Sequence, residues 1–338
     1  MDVLKITVVL ILSYFSFSSS VTNCPNYCTC YFSSNITSVT CVSVESLFNI
    51  PKNIPTQTTI MSIEFTNISA LTDKDFVGLF QLRELHLSSN LLENISSGVL
   101  KEVHQLRILD LTNNLLTTLP PNVFSTAFNL ASLILQGNRL QTVNPSWFCQ
   151  LQSLEWLDLS SNMLTSLLPN TFHNLTNLLI LDLSSNELEY LPANLFNKMP
   201  NLERLNLGEN QLTVFAPATF DHVINLKYLF LNCNKIGKIP EGLFNKLLQL
   251  DTLDLSDNKL TSLPQRIFDN LLQLGAKWDQ GLDLSENPWI CSCDLKYLWQ
   301  WLAVNSEKVY FLNTLVCAKP EALRGKEIKL LSEEELRC

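Results

Sequence analysis

Positive charge is scarce in this chain. Lysine and arginine total 23 against 32 acidic residues, a formal net charge of -9 at pH 7. A nucleic acid or other polyanion is therefore a poor electrostatic partner. Glycine is scarce too, with 9 in 338 residues, and charged side chains make up only 16%. Alongside 46% hydrophobic residues, that balance excludes a disordered chain and predicts a substantial core. None of the four histidines falls in a cysteine cluster, which argues against a zinc site. No metal or cofactor is expected. Beyond the first twenty residues there is no long apolar run, so no later membrane span is expected.

The apolar run that does exist is N-terminal. Met1–Lys5 offers one lysine, Ile6–Phe17 is mostly apolar, and Ser18, Ser19 and Ser20 follow. This reads as a signal peptide over residues 1–20, and the run is too short to cross the ~30 Å hydrocarbon layer. The polar Glu333–Cys338 end is expected to carry no anchor. The chain is therefore expected to be secreted and extracellular. Ten cysteines suit that compartment. Cys24, Cys28, Cys30 and Cys41 lie at the front, and Cys291, Cys293, Cys317 and Cys338 at the back. Even clusters of this kind read as disulfides, although spacing alone does not choose their connectivity.

Between the clusters runs a strict repeat. Leu82-x-x-Leu85-x-Leu87-x-x-Asn90 recurs, with asparagine at 90, 114, 138, 162, 186, 210, 234 and 258, every 24 residues. Phe124, Phe148, Phe172, Phe196, Phe220, Phe244 and Phe268 keep the same period, continued backwards by Leu100 and Phe76. Each Leu-x-Leu is expected to be a short strand with inward leucines. Successive strands stack in parallel about 4.8 Å apart. The asparagines turn inward and must be hydrogen-bonded as a buried ladder, while the phenylalanines stack on the convex side. Strands space more closely than the convex segments, so the stack curves with its strands inside. Two departures stand out. The first unit, read as Ile63-x-Phe65, has Asn67 one place early. The step from Asn258 to Asn287 is 29 residues, so a bulge is expected near Gly275–Gln280 before Leu282-x-Leu284.

A coil of such repeats closes neither of its own ends and needs caps. The organisation read from the chain is a signal peptide (1–20), an N-terminal cysteine cap (21–58), repeats (59–286) and a C-terminal cysteine cap (287–338). Cys24-x-x-x-Cys28-x-Cys30 with Cys41 resembles the N-terminal cap of extracellular leucine-rich-repeat proteins. Asn287-Pro288-Trp289-Ile290-Cys291-Ser292-Cys293, with Trp301, Cys317 and Cys338, resembles their C-terminal cap. The resemblance implies an α/β solenoid: a leucine-rich-repeat horseshoe with a parallel concave sheet and disulfide-stapled caps at both ends. It also implies the pairings Cys24–Cys30, Cys28–Cys41, Cys291–Cys317 and Cys293–Cys338. Leu85–Asn90, Lys277-Trp278-Asp279 and Cys317–Gly325 further resemble the leucine-rich alpha-2-glycoprotein family, which is secreted, glycosylated and linked to transforming-growth-factor-beta signalling.

Function is expected on the concave strand positions. Solvent-facing strand residues of a one-sided sheet should be polar, yet Trp156, Ile180, Tyr228 and Phe230 occupy such positions. With Asp158, Asp182 and Arg204 they form the candidate ligand-binding patch, since aromatics and arginine are enriched at interface hot spots. Scattered apolar residues are also ordinary surface features, and Leu-Asp-Leu is routine repeat usage. His86, Asp110 and Ser88 form the one triad-like grouping, on an open surface without a pocket or oxyanion donors. The chain is thus not expected to be an enzyme. Asn35, Asn67, Asn94 and Asn174 head glycosylation sequons; for Asn67 the ladder position competes with a glycan. Cys149 and Cys233, 84 residues apart on different faces, are too distant to pair. Cys233 is expected to be half-buried, and Cys149 either exposed or inert. The reading is a monomeric secreted glycoprotein that binds an extracellular protein ligand or receptor and modulates growth-factor signalling of TGF-beta type. The alternative is a structural protein of matrix or cell adhesion.

Overall fold

The computed structural model describes residues 24–276 and 281–338. The expected signal peptide and the Lys277-Trp278-Asp279 portion of the bulge lie outside the described residues.

Among the described residues fourteen short strands occur: β1 (Thr29–Phe32), β2 (Thr37–Val42), β3 (Ile60–Glu64), β4 (Ala70–Leu71), β5 (Glu84–His86), β6 (Asn94–Ile95), β7 (Ile108–Asp110), β8 (Ser132–Ile134), β9 (Trp156–Asp158), β10 (Ile180–Asp182), β11 (Arg204–Asn206), β12 (Tyr228–Phe230), β13 (Thr252–Asp254) and β14 (Leu282–Asp283). All but β4 and β6 join one sheet in chain order; those two pair with each other in a separate parallel sheet. Within the large sheet, pairing is parallel from β2 onward and the β1–β2 hairpin is antiparallel. The structure is a parallel-sheet leucine-rich-repeat horseshoe with a disulfide-bonded cap at each end.

The ladder asparagines are buried and fully bonded. Asn186 donates Nδ2–H to the carbonyls of Leu159 (3.0 Å), Leu183 (3.1 Å) and Ser184 (3.1 Å), and its Oδ1 accepts the Leu164 N–H at 3.0 Å. Each asparagine therefore ties its own turn of main chain to the preceding one, satisfying groups that leave the strand ladder. Asn287 keeps the same bonds, to Leu255 (2.9 Å) and from Leu260 (3.0 Å), despite its longer repeat. The ladder is thus unbroken across the longer step. Each residue before a ladder asparagine is left-handed: Ser89, Asn113, Gly137, Ser161, Ser185, Glu209, Cys233, Asp257 and Glu286. That geometry swings the following amide inward and throws the residue's own side chain out.

This column corrects three expectations. Met61 and Ile63, not Ile63 and Phe65, are the inward pair of the first unit, because β3 aligns Met61 with Leu85. Phe65 is the left-handed residue of its turn and is 57% exposed. Thr66 takes the ladder place, donating its N–H (3.0 Å) and hydroxyl to Asn90 Oδ1. Asn67 falls one residue past the ladder, not before it, with Nδ2–H donated to the Glu45 carbonyl at 2.7 Å. Cys233 likewise is exposed rather than half-buried, since it occupies the outward-pointing position.

The convex spine is continuous. Phe76, Phe124, Phe148, Phe172, Phe196, Phe220, Phe244 and Phe268 are all buried. Neighbouring rings lie 6.0 Å apart for Phe148–Phe172, 6.1 Å for Phe196–Phe220 and 6.4 Å for Phe220–Phe244. At the C-terminal end Phe268 meets Trp301 at 5.2 Å and Tyr297 at 6.3 Å, both from helix α1 (Lys296–Asn305). The helix covers apolar rings that a further repeat would otherwise bury. A second, outer ladder went unread in the sequence: Asn129, Asn177, Asn201 and Asn225 each donate Nδ2–H to a carbonyl of the preceding turn, at 2.8–3.1 Å.

The caps are stapled. Cys24 bonds to Cys30 and Cys28 to Cys41 at the front; Cys291 bonds to Cys317 and Cys293 to Cys338 at the back. The back cap also closes the sheet: Val309 bridges Leu282, and the Tyr310 N–H donates to the Leu282 carbonyl at 2.9 Å. Gly281 makes that approach possible, because a Cβ there would lie 2.3 Å from the Lys308 carbonyl oxygen.

Candidate binding face

The parallel register assembles the candidate residues into two rows. Trp156, Ile180, Arg204 and Tyr228 are successive neighbours across β9–β12. Asp158, Asp182, Asn206 and Phe230 form the second row, two residues further along each strand. The leucine between the rows in every strand, from Leu157 to Leu229, is fully buried. Strand alternation therefore leaves both rows facing the concave side. Trp156, Ile180, Tyr228 and Phe230 are half-buried, leaning on neighbours while presenting an open apolar face.

Arg204 is exposed in their midst, with its Cζ 4.6 Å from the Phe230 ring centre and 5.8 Å from that of Tyr228. Two aromatic faces thus hold the guanidinium by cation–π attraction. This contact was not foreseen in the sequence; the only signal was an arginine one strand before an aromatic pair.

The carboxylates behave differently. Asp158 Oδ1 accepts the Ser160 N–H (2.9 Å) and hydroxyl (2.6 Å), and Asp182, Asp254 and Asp283 accept from Ser184, Ser256 and Ser285 in the same way. Each carboxylate braces the turn that follows its strand. Asp182 also accepts the Asn206 Nδ2–H at 3.0 Å. Asp158 is buried, at 8% exposure. Burial raises its pKa above the ordinary carboxylate value, against the lowering effect of the Ser160 bonds, and the charges of Asp182 and Asp110 raise it further. Asp254 is raised similarly, by burial first and by Asp283 as a neighbour.

His86 lies 3.8 Å (Nδ1) from Asp110 and 3.5 Å (Nε2) from Glu84. The Asp110 contact raises the imidazole pKa above its ordinary value, opposed in part by burial, and Glu84 adds to the rise. Ser88 does not complete a triad: its hydroxyl donates to Glu64 at 3.0 Å. A serine bonded to a carboxylate on a different strand, with its histidine held between two acids, is not an activated nucleophile. Among the described residues no group of three or more His, Cys, Asp or Glu is placed to hold a metal ion, and no helix is long and apolar enough to cross a membrane.

A row of turn-bracing carboxylates thus lies beside an aromatic and arginine surface on one parallel sheet of a leucine-rich-repeat solenoid. The chain belongs to the leucine-rich-repeat family: the leucine rich repeat model matches residues 56–116, 80–126, 128–188, 176–232 and 224–288. It is 34% identical to Leucine-rich repeat-containing protein 3B of Danio rerio over 120 residues, 34% of this chain and 46% of that protein. It is 38% identical to Phospholipase A2 inhibitor beta of Elaphe climacophora over 92 residues, 27% of this chain and 26% of that protein. The chain spans less than half the length of either relative. Among solved structures it superposes with a TM-score of 0.77 and 26% identity on a chain from the octameric complex of Latrophilin 3 (Lec, Olf), Unc5D (Ig, Ig2, TSP1) and FLRT2 (LRR), covering 93% of this chain and all of that one.

Proposed function

We propose that this protein is a secreted, monomer-active binding protein that holds an extracellular protein ligand or receptor on its concave sheet, centred on Trp156, Ile180, Arg204, Tyr228 and Phe230. The observation that carries the proposal is the Arg204 cluster: aromatic, apolar and guanidinium groups converge on one rigid face where a solvated sheet should be polar. Asp158 and Asp182 frame the patch through the turns they brace. A preformed surface limits the ordering cost of binding. The names of similar proteins support contact with proteins as the mode of action. One is an inhibitor of phospholipase A2, and another solved complex assembles a leucine-rich-repeat domain with two further proteins. No step of chemistry is assigned to the face. Asn35, Asn94 and Asn174 are exposed and Asn67 lies off the ladder, so glycans at all four sequons are part of the proposal. The resemblance to leucine-rich alpha-2-glycoprotein extends it to modulation of growth-factor signalling of TGF-beta type.

The test is quantitative affinity capture from serum with the mature protein and a Trp156→Ala/Tyr228→Ala variant, read by mass spectrometry, with a purified TGF-beta-type growth factor added as a defined probe. Truncating two hot-spot aromatics is expected to weaken specific capture by about tenfold or more, since each contributes on the order of 1–2 kcal/mol or more. Equal capture by both proteins refutes the concave assignment. Growth factor that is not retained by either protein refutes the signalling extension alone.

A further inference from the structure

The two ends of the large sheet are finished differently. At β14 the back cap lays Val309 and Tyr310 against the last strand. At the front, β1 is the first strand of the order, and among the described residues nothing pairs with its outer side. Sheet edges left open are normally protected by charge, proline or a covering segment, because their unpaired main-chain groups template another strand. β1 has none of these within it: its sequence is Thr29-Cys30-Tyr31-Phe32, and no charged residue occurs anywhere between Cys24 and Val44. The same end exposes Tyr27 (74%), Tyr31 (62%) and Ile36 (45%).

The hairpin register says which groups the edge offers. The Ser33 N–H donates to the Ile36 carbonyl at 2.9 Å, and Tyr31 and Thr29 stand opposite Ser38 and Thr40. In an antiparallel pair the bonded positions alternate by two. The main-chain groups of Ser33, Tyr31 and Thr29 therefore face β2, and those of Cys30 and Phe32 face outward. Two outward-facing residues flanking one central residue form a self-complementary antiparallel edge. A two-fold axis through Tyr31 would pair Cys30 of each copy with Phe32 of the other and set the two Tyr31 rings side by side, in the closer, non-hydrogen-bonded type of cross-strand position.

We infer that β1 is a homodimerisation edge, through which two copies of this chain join their sheets antiparallel at the N-terminal caps. Self-complementarity of the edge selects a second copy as the occupant, and charge selects the place. The molecule carries a formal net charge of -9, so like copies repel over most of their surfaces, whereas this uncharged edge is where they approach at least cost. Four residues of edge are a small interface, which places the association in the weak, reversible class. This departs from the monomer expected from the sequence, and it leaves the concave patch on β9–β12 free.

The experiment is sedimentation velocity on the mature protein from low micromolar to several hundred micromolar, repeated on Asn35→Gln to remove any glycan beside the hairpin turn. A reversible shift toward twice the monomer mass is expected in at least one of the two proteins. Tyr31→Lys alters an exposed side chain and sets two like charges across the axis; in the dimerising background it should weaken association by about tenfold or more. Hydrogen exchange at high concentration should slow at the Cys30 and Phe32 amides and not elsewhere in the sheet. Monomers at every concentration in both backgrounds overturn the inference. So does a dimer that Tyr31→Lys leaves intact, whether its interface lies on another face of this chain or elsewhere.

Discussion

Asn186 shows what one residue does in this fold. Its amide satisfies four main-chain groups in two adjacent turns, three of them fully buried. Asn186→Ala strands those groups and should cost roughly 3 kcal/mol or more, measured by urea unfolding. Asn177, in the outer ladder, is exposed and makes a single bond to the Gln152 carbonyl at 2.9 Å. Asn177→Ala should cost only about 1 kcal/mol or less, because water replaces the lost partner. The inner ladder was legible in the sequence because asparagine is invariant there across eight units. The outer one was not, because serine and glutamine interrupt it at Ser153 and Gln249. His86 offers a test in pH. Its raised value, due first to Asp110 and opposed by burial, means the fold binds the proton more tightly than the unfolded chain. That contribution to stability is full below the ordinary histidine value and is lost as pH rises through the raised one. An NMR titration should place His86 above its ordinary value, and Asp110→Asn should move it down.

Elements fail or hold by how their faces are closed. Strand positions, inward leucines and the phenylalanine spine could all be read from period alone, because side-chain direction in a strand alternates and repeats with the turn. The first repeat could not. Ile63-x-Phe65 mimics Leu-x-Leu, and only the pairing of Met61 with Leu85 reveals the frame. A left-handed residue before each ladder position is backbone geometry without a residue signature, so the outward direction of Cys233 was also hidden. Cys233 should therefore react with a thiol reagent in the folded protein, and Cys233→Ser should change stability by less than about 0.5 kcal/mol. Phe172→Ala, within the spine, should cost about 3–4 kcal/mol, since its ring is fully buried against Phe148. Gly281→Ala should loosen the back cap by on the order of 2 kcal/mol, seen as faster hydrogen exchange at the Tyr310 amide, because the new methyl group meets the Lys308 carbonyl.

At the scale of the molecule, a solenoid lacks the long-range contacts that close a globule on itself, so rigidity comes from neighbour-to-neighbour bonding repeated without a break. The ladder and the spine run from the front cap to α1, and the ladder keeps its bonds at Asn287. That continuity is what makes the concave sheet a preformed surface. Which residues face its hollow was legible from phase. That Arg204 is held over Phe230 and Tyr228, and that Asp158 is buried beneath its own turn, was not, because both depend on lateral contacts between repeats. The most direct measurement of the binding face is a hydrogen-exchange footprint of the protein with a partner purified by the serum capture. Slowed exchange confined to 156–160, 180–184, 204–208 and 228–232 is the predicted result. Protection confined to the convex turns or the two caps, with those four segments unchanged, would contradict it.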